Sequence, residues 1–260
     1  MDAREPLTGG GLTGAERVGS TVLRVTGPWT PAVHALLRHL EQASFEAPRV
    51  VGVDDEGREV LTYVPGQAGV DPYPPGVWAD DVLAQVGGLI RRCHDATAEF
   101  VPPPDARWQL LVGAPQEGDV VCHNDLSPAN TIYDERGPRT FVDWDLAAPG
   151  PREWDLAYAA YRFVPLYSDK SCEQLGIPVL ARAPRLRILC DAYGLAADSR
   201  LLDLVEARIT ALYETARERG EAGDPGWRDV WRDTRGRQWL GSLAFVQQHR
   251  ERWERELTRR

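Results

Sequence analysis

Apolar residues along the chain change rhythm near position 66. Before it they fall in short runs of strand length: 15–19, 21–25, 48–53 and 58–64, the second mixing β-branched and apolar residues. Residues 7–10 open a further strand, with the glycines of 11–14 as its turn, and Asp54-Asp-Glu-Gly57 turns the chain between the last two runs. Between these runs Val33, Leu36, Leu37 and Leu40 share one helical face. Thr30 is the expected N-cap of that helix and Pro31 its first residue.

Pro65-Gly66 stops the strand pattern, and proline and glycine recur up to Gly76. A lobe boundary is therefore expected there, dividing the chain into 1–66 and 67–260. Beyond it the period is helical. Val82, Val86, Leu89, Ile90 and Cys93 line one face of a helix ending near His94-Asp95. Further helices are expected over 153–163, 185–193 and 201–219, and one long helix over 227–257. Only 120–144 interrupts them with extended pieces. The pattern predicts an α+β chain: a small antiparallel sheet with one helix, then a larger, mostly helical lobe.

Composition narrows the function. The chain has 260 residues and a formal net charge of −9, which argues against the basic surface that nucleic-acid binding needs. No apolar run reaches membrane-spanning length, and the start lacks a signal-peptide pattern. Cys93, Cys122, Cys172 and Cys190 have no zinc or redox spacing, so reduced thiols in a cytoplasm are the plain reading. Lysine is almost absent: Lys170 stands alone among arginines.

The chemistry concentrates in Cys122-His-Asn-Asp-Leu-Ser-Pro-Ala-Asn130 and Phe141-Val-Asp-Trp-Asp145. Phosphoryl transfer to an alcohol needs a carboxylate to take the hydroxyl proton, and oxygen ligands to hold a divalent cation against nucleotide phosphates. Asp125 fits the first task; such a base contributes about 100- to 10,000-fold. Asn130, five positions on, and Asp143, thirteen beyond that, fit the second. Asp145 has two readings, a second metal ligand or an anchor for backbone amides, and the latter is preferred. His123 is expected to fix loop shape, and Asp155 to brace a helix beneath the loop. Ser127 lacks a nucleophile elbow and reads as a turn residue. The glycines of 9–14 are a weak signal for phosphate binding through backbone amides, and no P-loop sequence is present. The base of ATP or GTP would meet the Thr62 carbonyl and Val64 amide, with Leu61 lining the pocket.

With those motifs in view, the chain resembles the aminoglycoside phosphotransferase and choline-kinase-like family, whose fold is that of protein kinases. The likeness rests on His123 to Asn130, Phe141 to Asp145 and Trp154-Asp-Leu-Ala157, and more loosely on Ala47-Pro-Arg-Val50, Tyr63-Val-Pro-Gly66 and His94-Asp-Ala-Thr97. It implies a catalytic Asp125, Mg2+ on Asn130 and Asp143, and a small-molecule hydroxyl acceptor. It also implies a third-strand lysine paired with a helix glutamate, and this chain departs there. Arg24 occupies the lysine's place, and Val33 or His34 that of the glutamate. Arg24 reads either as a bidentate phosphate ligand or as a solvated strand residue. The departure leaves an alternative open: a kinase-fold nucleotide-binding or regulatory protein with little catalysis.

Overall fold

The computed structural model describes residues 4–7, 14–195 and 198–258. Its first part is a five-stranded antiparallel sheet of β1 (Arg4–Pro6), β2 (Ala15–Val18), β3 (Thr21–Arg24), β4 (Val50–Val53) and β5 (Glu59–Thr62), in the order β1-β2-β3-β5-β4. The first strand comes earlier than the sequence suggests, and Leu7 follows it, its amide donating to the Ala15 carbonyl at 2.8 Å. Residues 8–13, and with them most of the glycine-rich turn, lie outside the described residues.

One helix, α1 (Thr30–Gln42), packs beside this sheet with Val33, Leu36, Leu37 and Leu40 all buried. Its N-cap is Trp29 rather than Thr30, whose hydroxyl instead accepts from the Gly27 amide at 2.9 Å. The missing side-chain cap costs about 1 kcal/mol, whereas each buried leucine contributes about 1.5–3 kcal/mol. Burial therefore decides where the helix sits.

From Gly66 the chain passes straight into a second sheet, of β6 (Gln67–Ala68), β8 (Thr131–Asp134) and β9 (Gly137–Phe141). Gly66 has φ 142°, and a Cβ there would lie 2.6 Å from the Tyr133 carbonyl oxygen, so the crossing requires glycine. A two-stranded ladder of β7 (Val120–Cys122) and β10 (Ala148–Gly150) flanks the loop that follows β7. Around these lie α2 (Asp80–Thr97), α3 (Arg152–Phe163), α4 (Asp169–Gln174), α5 (Arg182–Tyr193), α6 (Ser199–Glu221), α7 (Pro225–Thr234) and α8 (Arg237–Thr258). The core forms where α2 meets α5 and where α6 meets α3, α7 and α8.

Two helical expectations change. Helix α4 carried no apolar period; it starts because the Ser168 hydroxyl accepts from the Ser171 amide at 3.1 Å. The expected helix over 227–257 is two helices, broken where Arg235 and Gly236 take φ of 49° and 68°. The break lets both α7 and α8 lie against α6. Trp227, Trp231 and Trp253 are buried there as core residues.

Candidate active site

Strand β7 delivers the chain into the loop 123–127, and a 3-10 turn, Pro128–Asn130, leads on to β8. Asp155, fully buried on α3, holds the loop from below. It accepts from the His123 amide at 2.7 Å and the Asn124 amide at 2.9 Å, and meets His94 Nε2 at 3.1 Å. Burial alone would raise this carboxyl. The hydrogen bond and charge of His94, with His123, outweigh it and hold the group below its usual 3.8.

His123 receives the Asp125 amide on Nδ1 at 3.2 Å and meets the Val142 carbonyl through Nε2 at 3.0 Å. That pairing requires the neutral tautomer protonated at Nε2, and burial pushes its pKa below 6.5. The ring is a spacer between the loop and the strand end at Val142.

Asp125 is half-buried, and its Oδ2 accepts from Asn130 Nδ2 at 2.7 Å. The same amide nitrogen donates to the Asp125 carbonyl at 3.0 Å. Burial and then the nearby Asp143 charge raise the Asp125 pKa, partly offset by Arg162, His123 and Tyr158. Asp143 has φ 65°, and the Val142 amide before it donates to the Asn130 carbonyl at 2.9 Å. Asp125, Asn130 and Asp143 thus come together at one place.

Arg24 is not a solvated strand residue. It is 8% exposed and sits among three carboxylates: Asp143 at 2.6 Å, Asp145 at 2.8 Å and Glu59 at 3.3 Å. Burial alone would lower the guanidinium pKa, but the three anions outweigh it and raise it. Asp145 is correspondingly a partner of Arg24, not chiefly an anchor for amides. Three carboxylates against one cation leave an excess of negative charge, so burial, Asp143 and Glu59 push Asp145 up to about 7 despite Arg24.

The glutamate missing from α1 has a substitute that sequence reasoning overlooked. Register pairs Arg24 with Glu59 on β5, and His34 of α1 meets the other Glu59 oxygen, Nε2 to Oε2 at 2.9 Å. The helix contributes a histidine where a glutamate was expected, and the neighbouring strand contributes the glutamate. One signal was available: Glu59 and Leu61 alternate onto the buried face of β5, and a charge there demands a partner.

A cavity of about 390 Å³ opens between the two sheets. Arg24, Leu61, Thr62, Val64, Asn130 and Asp143 all line it. Val22, Leu61, Ile132 and Val142 make apolar walls, and Arg24, Asn130 and Asp143 a polar end. Asp125 lies outside the lining and joins it through Asn130. Among the described residues no group of three or more His, Cys, Asp or Glu side chains could hold a metal. Asn130 and Asp143 supply oxygen donors only, which suits Mg2+ completed by waters and phosphates rather than a protein-only cage.

Residues 105–186 match the model of the phosphotransferase enzyme family. The trifolitoxin immunity protein of Rhizobium leguminosarum bv. trifolii is 38% identical over 249 residues, 90% of this chain and 93% of that one. Among solved structures, a choline/ethanolamine kinase family protein from Mesorhizobium loti superposes with a TM-score of 0.63 at 18% identity, covering 98% of this chain and 91% of that one. An amicoumacin kinase in complex with AMP-PNP and Ca2+ gives 0.62 at 15%, covering 83% and 80%. At those identities the structural likeness carries the fold, which is that of kinase-like phosphotransferases.

Proposed function

The chain belongs to the phosphotransferase enzyme family and is a small-molecule phosphotransferase; on that footing we propose that it transfers the terminal phosphoryl group of ATP or GTP to an alcohol. The observation that carries this is the convergence of Asp125, Asn130 and Asp143: the last two line the polar end of a cavity with apolar walls, and Asp125 is joined to them through Asn130. A purine fits between Val22, Leu61, Ile132 and Val142, with the Thr62 carbonyl and Val64 amide at its edge. The phosphates then point toward Arg24.

Asn130 and Asp143 would hold Mg2+, which when bound neutralises charge on the phosphate oxygens. The Asn130 amide nitrogen is committed to Asp125, which leaves its oxygen for the cation. Arg24 exchanges a carboxylate for phosphate oxygens, with Glu59 retaining its other side. Asp125 orients the acceptor hydroxyl and takes its proton. The acceptor oxygen forms a bond to phosphorus as the bond to the bridging oxygen breaks, and the nucleoside diphosphate leaves.

From the relative named a trifolitoxin immunity protein we carry over a role in immunity to a toxin, with a hydroxyl of the toxin as acceptor. A second reading, nucleotide binding with little catalysis, draws on Arg24 being tied to Asp143 and Asp145. Incubation with nucleotide, Mg2+ and a panel of alcohols, followed by mass spectrometry for a gain of one phosphate, separates the two. Asp125→Asn should lose transfer by about 100-fold or more while keeping the nucleotide-induced thermal shift. Transfer at the wild-type rate in that variant would remove Asp125 from its role.

A further inference from the structure

Two stretches that are otherwise closed to solvent each have an opening at the same place. In residues 120–133 only Asp125 and Ala129 escape burial. In residues 154–167 only Arg162 does, with the aromatic side chains of Tyr158, Tyr161 and Tyr167 packed beside it. A charged side chain that alone breaks the buried run of α3 is placed where something can reach it.

The two openings face each other. Arg162 Nη1 donates to the Tyr158 hydroxyl at 3.0 Å, and that hydroxyl also interacts with the Asp125 carboxylate. Asp125 acts on Arg162 through space, but among the described residues no carboxylate comes within ion-pair distance of this guanidinium. Its Nε is buried and has no partner. A buried N–H with nothing to bond costs about 1–3 kcal/mol, so the cation stands without a direct ion pair and incompletely bonded on the acceptor side of the loop. Arg208 behaves differently. That arginine also lies over the Tyr158 ring, 4.5 Å from its centre, and its Nε and Nη1 likewise lack partners, but it is fully buried and donates to the Asn124 carbonyl, so it supports the loop and meets no ligand; exposure is what sets Arg162 apart.

The strap between β6 and α2 bounds the space. The Gly69 amide donates to the Pro128 carbonyl at 2.9 Å, and the Tyr73 hydroxyl to the Leu175 carbonyl at 3.2 Å. Asp71 of this strap lines the nucleotide-side cavity. Beside Asp125 the acceptor side thus presents the Arg162 guanidinium and the Tyr158 hydroxyl, with the Asp71 carboxylate farther out, acting on Tyr73 together with Arg162, so an ammonium-bearing alcohol would meet a like charge at Arg162.

We propose that Arg162 is an anion subsite for the acceptor, and that the acceptor is an alcohol that also carries a carboxylate. The carboxylate sits on the free edge of Arg162, and the hydroxyl is held at Asp125. This rests on the phosphotransferase reading, because it takes the Asp125 side of the loop as the acceptor side.

The test is a ligand-detected NMR titration of the full chain with glycerate, gluconate and N-acetylserine. Their neutral amides serve as matched controls, and ethanolamine, choline and an aminoglycoside as cationic ones. The expected result is that acids bind, the matched amides and cations bind more weakly, and Arg162→Gln weakens the acids roughly ten- to hundredfold. Arg162→Lys should recover part of that loss, and an unchanged nucleotide-induced thermal shift in both variants shows that they are folded. Acids bound no better than amides, or equally well by Arg162→Gln, would overturn the subsite. Absence of phosphoryl transfer from any nucleotide would instead count against the phosphotransferase chemistry, and leaves the binding comparison to stand by itself.

Discussion

Asp125 is poised by neighbours of opposite sign. Asp143 and burial favour its protonated form, while Arg162, His123 and the Tyr158 hydroxyl favour the carboxylate. The net shift is upward from 3.8. In the proposed role Asp125 must be ionised to accept a proton, so transfer should be fully supported above the raised pKa and lost as pH falls through it. The acid limb of kcat/KM should therefore have its midpoint above 3.8. Arg162→Gln removes a charge that favours the carboxylate and should move that midpoint higher still. A pH–rate profile of both proteins checks this, and a limb that stays put in the variant would disconnect Arg162 from Asp125.

At the level of elements, the corner around Arg24, proposed to meet the nucleotide phosphates, is cross-braced by β3, β5 and α1. Antiparallel pairing sets Arg24 opposite Glu59, and α1 brings His34 to the far side of the same carboxylate. An arginine is longer than a lysine and carries more donors, so it can reach Asp143 and Asp145 while keeping Glu59 behind it. Glu59→Gln keeps the shape but removes the charge that draws Arg24 back from Asp143 and Asp145. It should raise the nucleotide KM by roughly tenfold, about 1.4 kcal/mol of lost interaction, with a smaller effect on the acceptor KM. Initial rates at varied nucleotide decide the point, and an unchanged nucleotide KM would reduce Glu59 to a structural counter-charge. Complete removal, Glu59→Ala, leaves Arg24 paired with Asp143 and Asp145 but takes the buried acceptor from Arg24 Nη1 and His34 Nε2, and should cost about 1–3 kcal/mol of stability.

Over the whole molecule, the chain passes at a single glycine between the two sheets that line the cavity. Gly66 crosses between them at φ 142°, close against Ile132 and the Tyr133 carbonyl. Gly66→Ala forces a strained backbone and a collision that only displacement of β8 relieves, at about 1–3 kcal/mol. Because β8 carries Ile132 of the cavity wall, a lower thermal midpoint should be accompanied by weaker nucleotide binding. A variant that lost stability but bound nucleotide as before would show that the two sheets adjust independently.

Much of this was legible in the chain itself. The strands of residues 15–25 and 50–62, the apolar stripe of α1, and the spacing of Asp125, Asn130 and Asp143 are local patterns, set by backbone periodicity and by what short-range chemistry demands. The sequence also marked Arg24 as unusual, because no lysine precedes Lys170. Tertiary structure alone decided what Arg24 touches, that Glu59 replaces a helix glutamate, that the last helix breaks at Arg235, and that Arg162 opens beside Asp125. Those depend on strand register and helix packing between residues far apart in the chain, and pairing across such distances leaves no periodic trace along it.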